Sequence, residues 1–303
     1  MSNLKQYELL AIVIPTKDRI PELRRLLASL QRQRRQPAAI IIVESGSFQS
    51  HGILNEFPTM NIKWIHFSPP SAARQRNAGL REIGSDREYV GFFDDDIVLE
   101  QNALEEMMRY WQQAPAGIGG ATFNLKNSPT LALAWVKHLP WIERLGLYNR
   151  QKGVVLSSGF QTMIDHCDRL CSVQWFPSGA SLWRRRVLSE FQFDEWFTGH
   201  SYLEDLEFSY RVGKKYGLVV LPEAEFFHIP PPPRHRNWIQ FGRQEVINRL
   251  YFVRRFPEFA TWKCYVSLFL RMIISLVSAV KDRDIGFLFR FIGNIEGFLS
   301  RIS

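Results

Sequence analysis

Cysteine is scarce. Three in a chain of 303 residues cannot supply a disulfide framework, and they read as reduced thiols in a reducing compartment. Also missing is an apolar stretch behind a basic start: Met1-Ser-Asn-Leu-Lys-Gln-Tyr-Glu has no secretory pattern, so the expected address is the cytoplasm. Nineteen glycines and sixteen prolines are too few for a collagen-like or low-complexity chain. With 46% hydrophobic and 22% charged residues, disorder is excluded as well. The length suffices for one large core, alone or with an appendage.

Charge of one sign is short in one region only. The net +8 is concentrated in residues 234–303, where twelve basic face five acidic side chains, leaving about +1 for residues 1–233. The basic third also holds Phe241, Tyr251, Phe252, Phe256, Trp262, Phe269, Phe289 and Phe298. Basic, aromatic and apolar together suit an anionic membrane surface, whereas basic and polar would suit nucleic acid.

The first half alternates strands and helices. Leu9–Ile14 is a short apolar run suited to a strand buried on both faces. Pro21 then opens a helix with Leu23, Leu26, Leu27 and Leu30 on one side. Ile40–Val43, Ile62–Phe67 and Tyr89–Phe93 predict further strands, and Ser71 predicts the cap of a helix reaching about Ile83. This pattern implies an α/β fold with a parallel sheet. Ligands in such sheets bind beyond the carboxyl ends of strands, where Thr16–Arg19, Glu44–Ser47 and Asp94–Asp96 all fall.

Asp94-Asp95-Asp96 is the sharpest local signal. Adjacent carboxylates repel unless a cation neutralises them, and hard oxygen ligands suit Mg²⁺ or Mn²⁺ held jointly with phosphates. Cys167 and Cys171 beside His166 form too weak a pattern for a second metal site, so buried thiols are expected.

Six pieces in order resemble family 2 glycosyltransferases of the GT-A fold. They are Ile14-Pro-Thr-Lys-Asp-Arg19, Val43-Glu-Ser-Gly-Ser47, Gln75-Arg-Asn-Ala-Gly79, Phe93-Asp-Asp-Asp-Ile97, Pro177-Ser-Gly-Ala-Ser181 with Arg184-Arg-Arg186, and Tyr202-Leu-Glu-Asp-Leu-Glu-Phe208 with Tyr210-Arg211. The resemblance covers about Ala11 to His228 and departs from the usual second-strand motif by placing Glu44 where an Asp is common. It implies a Rossmann-like nucleotide-binding sheet flanked by helices. Pro15, Thr16, Arg19, Glu44, Arg76, Asn77, Asp94 and Asp95 would then contact the nucleotide sugar, with Asn77 reaching Asp95 or the nucleotide. Asp94 and Asp96 would lie nearest the metal, His228 would complete its site, and Gly179 and His200 would meet the acceptor. By the same resemblance Asp205 is the base that deprotonates the acceptor hydroxyl, with Glu204 as its helper, and transfer inverts the anomeric centre.

Pro230-Pro-Pro-Pro233 is a stiff break, dividing a catalytic domain (1–233) from a helical extension (234–303). Within the extension Lys263, Ser267, Arg271, Ser275, Ser278 and Asp282 form one polar stripe, and Gly286, Arg290, Asn294, Gly297 and Arg301 form another. In a spanning helix Arg271 would sit mid-bilayer at a cost of about 2.5–3.5 kcal/mol, so two amphipathic helices lying in the membrane interface are expected, with packing against the catalytic domain or a twin subunit of a homodimer as the alternative. The expected protein is a cytoplasmic, peripheral-membrane enzyme using a UDP- or dTDP-sugar and a lipid-linked or oligosaccharide acceptor, with no nucleic-acid partner. A sugar-phosphate nucleotidyltransferase would leave the Glu-Asp and Arg-Asn-x-Gly pieces without a task. A non-catalytic membrane or nucleic-acid binder would not need Asp94–Asp96 together with Asp205.

Overall fold

The structure is a computed structural model that describes residues 9–46, 48–127, 143, 148–199, 201–230, 237–281 and 283–300. The chain divides into two compact units. One comprises residues 1–129 and 164–231, the other residues 130–163 and 232–303, so the second gathers an internal segment as well as the carboxyl-terminal third.

The first unit is built on a nine-stranded sheet. Its leading strands are β1 (Leu10–Thr16), β2 (Ala39–Glu44), β3 (Ile62–His66) and β4 (Tyr89–Phe93), separated by helices α1 (Ile20–Gln31) and α2 (Ala72–Arg81). They run parallel in the order β3-β2-β1-β4, as the alternation of strands and helices requires. The expected apolar face of α1 is real: Leu23, Leu26, Leu27 and Leu30 are all fully buried. Ser71 caps α2 by accepting a hydrogen bond from Arg74 N.

The rest of the sheet is mixed. After β5 (Ile97–Leu99), α3 (Ala103–Gln113) and β6 (Ile118–Leu125) come β7 (Cys171–Val173), β8 (Ala180–Arg184), α4 (Arg185–Glu190), α5 (Glu204–Gly213) and β9 (Gly217–His228). Strand β8 runs antiparallel to β4 and sets Ala180 opposite Phe93. Strand β9 runs antiparallel to β5 and sets His228 opposite Ile97. These two registers carry residues from the second half of the chain to the carboxyl end of β4. An aromatic group comprising Trp183, Phe193 and Phe208 seats α5, with Phe193 and Phe208 stacked at 4.1 Å. Cys167 and Cys264 are buried and Cys171 is half-buried, all as free thiols.

The second unit contains α6 (Trp238–Arg255), α7 (Thr261–Lys281) and α8 (Ile285–Leu299). The polar stripes turn inward. Glu245 of α6 is buried and binds Arg271 of α7 together with Arg290 of α8 at 2.6 Å. Ser275 and Asn294 are buried too, and Asn294 donates to Gly242 O at 2.9 Å and Glu245 at 3.2 Å. The described parts of the stripes, expected to be the water-facing side, are therefore the protein-facing side, while Asp282 and Arg301 lie outside the described residues. The apolar residues Trp262, Phe269, Ile273, Val277, Ile285, Ile292 and Leu299 are exposed.

Burial alone would raise the Glu245 carboxyl, yet Arg271 and Arg290 outweigh it and hold the group at about 2. A folded value below the unfolded one contributes stability above about pH 4.3, and that stability is lost as pH falls toward 2. Glu245→Gln should therefore destabilise the helical unit by about 3 kcal/mol at neutral pH, since it removes the counter-charge of the largely buried Arg290 as well as that of the half-exposed Arg271. Urea unfolding followed by a probe on α6 should show wild type losing that advantage between about pH 4.3 and 2, while the variant shows no matching loss.

Candidate active site

The carboxyl ends of β1, β2 and β4 coincide because Thr16 pairs with Glu44 in register and Val13 with Phe92. Thr16, Glu44 and Asp94–Asp96 thus share one edge, and Pro15 lies buried in β1 directly before Thr16. Helix α2 crosses beside this edge. It is polar in composition, yet Gln75, Arg76 and Asn77 are all buried, so each needs polar partners.

Each finds them. Gln75 Nε2 donates to Thr16 O at 2.9 Å and Val43 O at 2.7 Å, tying the ends of β1 and β2 together. Arg76 donates to Asp94 at 2.6 Å and, more closely still, to Glu204, while its guanidinium lies 5.3 Å from the Phe193 ring. Burial works against the Arg76 charge, but Asp94, Glu204 and Asp205 outweigh it and raise its pKa. Asn77 donates to Phe193 O at 2.9 Å and accepts from Phe193 N at 3.0 Å. That pairing corrects the expectation that Asn77 reaches Asp95: both ends of its amide serve the loop before α5. Gly79 closes the motif because a Cβ there would lie 2.4 Å from Val13 Cγ1.

The three aspartates occupy three environments. Asp94 is the accessible one, with its backbone N–H on Gly179 O at 2.8 Å. A Cβ at Gly179 would sit 2.1 Å from Asp94 Oδ2, so glycine lets β8 pass this carboxylate. Asp95 turns inward, accepting from Thr16 Oγ1 at 2.6 Å and Arg19 at 3.1 Å. Burial pushes it up to about 7 despite Arg19. Its carboxylate braces Thr16 and Arg19. Asp96 faces His228, with Nε2 and Oδ1 3.4 Å apart, and Arg19 stands 3.4 Å from its other oxygen. Burial opposes its charge, but His228 and Arg19 hold the carboxyl below its usual range. The imidazole is raised in turn by Asp96.

Asp96 Oδ1 is buried without a hydrogen bond, beside an imidazole nitrogen and close in sequence to the exposed Asp94. That donor set fits a divalent cation sharing its shell with phosphate oxygens. Among the described residues no group of three or more His, Cys, Asp or Glu side chains forms a ready cage.

Glu44 is buried. Its Oε1 accepts from Asp18 N at 3.2 Å and Gly46 N at 2.6 Å, holding two loops, while Oε2 has no hydrogen bond. Before α5 the chain takes left-handed conformations at Ser201 (φ 49°) and Leu203 (φ 76°), an uncommon geometry that delivers Glu204 and Asp205. Ser71 steadies this approach by donating to Phe197 O at 2.9 Å and lying 3.2 Å from Ser201 Oγ. Asp205 accepts from Leu206 N at 2.7 Å, and burial raises its pKa. Burial likewise raises Glu204 despite Arg76. His200 lies outside the described residues. Sequence reasoning missed Gln75 and Ser201 as site supports; the only signal was a run of polar residues in a helix that had to lie on the sheet.

The sequence matches the model for glycosyl transferase family 2 over residues 11–168. It is 33% identical over 101 residues to the uncharacterized glycosyltransferase YwdF of Bacillus subtilis (strain 168), covering 33% of this chain and 37% of that protein. Residues 1–349 of S. aureus TarS, solved in complex with UDP-GlcNAc, superpose with a TM-score of 0.56 at 13% identity over 86% of this chain and 70% of that one. The mannosyltransferase PcManGT from Pyrobaculum calidifontis, in complex with GDP-Man and Mn²⁺, superposes with a TM-score of 0.58 at 10% identity over 96% and 87%. The chain spans 39% of a longer TarS structure. These structural likenesses establish the GT-A fold. A family match that starts in the first strand and runs well past the carboxylate triplet, over half of the chain, makes this protein a member of glycosyl transferase family 2.

Proposed function

We propose that this protein is an inverting, metal-dependent glycosyltransferase that moves a sugar from a UDP- or dTDP-sugar to a hydroxyl of a lipid-linked saccharide. We place it in cell-surface polysaccharide synthesis, on the cytoplasmic face of the cell membrane. The observation that carries the reading is Arg76, one buried guanidinium that joins Asp94 to Glu204 and so holds the donor and acceptor sides together. Membrane association and a lipid-linked acceptor are supported by the basic, aromatic composition of residues 234–303.

In this mechanism Glu44 Oε2 and the β1 end at Thr16 receive the nucleoside, and Arg19 meets the diphosphate. Asp96 and His228, beside Asp94, would hold Mg²⁺ or Mn²⁺, which would supply charge neutralisation for the diphosphate. Asp205 takes the proton of the acceptor hydroxyl. The freed oxygen forms a bond to the anomeric carbon from the opposite face, and the carbon–oxygen bond to the diphosphate breaks, its electrons leaving with the nucleoside diphosphate. The raised pKa of Asp205 strengthens it as a base. Gly179 belongs to the acceptor side.

Two substitutions separate donor binding from chemistry. Asp96→Ala should abolish the metal-dependent part of UDP or dTDP binding in titration calorimetry; unchanged affinity would remove Asp96 from the metal site. Asp205→Asn keeps shape but cannot take a proton, so transfer should fall about 10²–10⁴-fold with donor affinity nearly intact. A loss of less than about tenfold in turnover would move the base elsewhere, with Glu204 first in line.

A further inference from the structure

The helical unit exposes much of its apolar surface. Its interior holds Glu245, Asn248, Arg249, Ser275 and Asn294 alongside Val246, Leu250, Phe252, Leu268 and Met272, all buried, whereas most of the large apolar side chains on α7 and α8 face outward. Phe269 is 60% exposed, Val280 82% and Leu299 80%. Water-soluble monomers seldom expose contiguous apolar faces of this extent, and such faces mark a contact surface.

The helix crossings point the same way. Gly242 of α6 and Gly293 of α8 bring two backbones together: a Cβ at Gly293 would lie 2.0 Å from Ile239 O, and one at Gly242 2.1 Å from Arg290 O. With Gly297 four residues on, α8 presents a small-xxx-small face to α6, the packing used where lipid surrounds the helices. Helix α7 is long and apolar enough to cross a membrane, and its 21 residues extend ~31 Å, close to the hydrocarbon thickness of about 30 Å. Trp262 and Lys263 stand at one end and Lys281 and Arg283 beyond the other, where headgroups would meet them. Arg271, the apparent objection to insertion, is half-exposed but has its charge met by the buried carboxylate of Glu245.

We propose that the outward faces of α7 and α8 lie in the acyl-chain region of a lipid bilayer, with Glu245, Arg271 and Arg290 as the polar core that holds the embedded helices to α6. This rests on the membrane association proposed above and goes further: the attachment is by hydrocarbon contact, not by surface charge.

Flotation of the full-length protein with vesicles tests it, using phosphatidylcholine alone and phosphatidylcholine mixed with phosphatidylglycerol. The protein should float with both and stay bound after washing at about 1 M salt, where the Debye length is ~3 Å, and in alkaline carbonate. The double variant Phe269→Asp with Val277→Asp alters two exposed positions and leaves the inner cluster in place. It should keep the wild-type circular dichroism and lose vesicle partitioning by about tenfold or more. Release by salt, or binding only to the anionic vesicles, would overturn insertion while leaving surface association standing. Failure to float with either vesicle would overturn both readings. A dimer in lipid-free buffer that the double variant dissociates, without vesicle binding, would give these faces to a second copy of the chain.

Discussion

The buried guanidinium of Arg76 is the constraint on which the catalytic unit depends. A permanent charge is tolerated in the interior only with close counter-charges, and here they come from Asp94 at the end of β4 and Glu204 at the start of α5. Those residues lie 110 positions apart in sequence, so the pairing can form only once β8 and the loop before α5 have docked. The neighbouring side chains on α2 extend the same logic. Gln75 binds the ends of two strands and Asn77 binds the backbone at Phe193, so one short helix fixes the nucleotide edge and the catalytic helix together. Removing any one partner would leave a buried polar group unsatisfied, which makes the arrangement all-or-none.

The aspartate triplet shows how one composition yields three roles. Asp94 meets Arg76 in the open, Asp95 is driven inward under Thr16 and Arg19, and Asp96 faces His228. The divergence arises in the turn between β4 and β5, where the chain changes direction and sends three successive side chains to different neighbours. Burial raises Asp95 while the cations around Asp96 lower it, so neighbours that are chemically identical titrate apart.

The two units differ in what they leave exposed. The sheet unit buries leucine, isoleucine and aromatic side chains and exposes charge. The helical unit also buries apolar residues, Val246, Leu250, Phe252 and Leu268 among them, but it buries the Glu245 carboxylate bound by Arg271 and Arg290 as well and exposes isoleucine, valine and phenylalanine. Glycine-mediated backbone contact between α6 and α8 accompanies that apolar packing.

Local periodicity determined much of this protein. The four leading strands, the apolar face of α1, the Ser71 cap and the two polar stripes of the carboxyl-terminal helices were all legible, because each depends on residues within a turn or two of one another. The strand-end rule likewise puts Thr16, Glu44 and Asp94–Asp96 on one edge from the order of strands alone. Tertiary structure alone decided which way things face. The stripes on α7 and α8 turn toward Glu245 because a buried carboxylate on another helix gives their arginines a partner, and periodicity within a helix carries no information about its neighbours. Asn77 turns from Asp95 to Phe193, and His228 arrives beside Asp96, for the same reason. Each is a pairing across many residues, created by strand register and loop docking, whose energy appears only when the distant partner is in place.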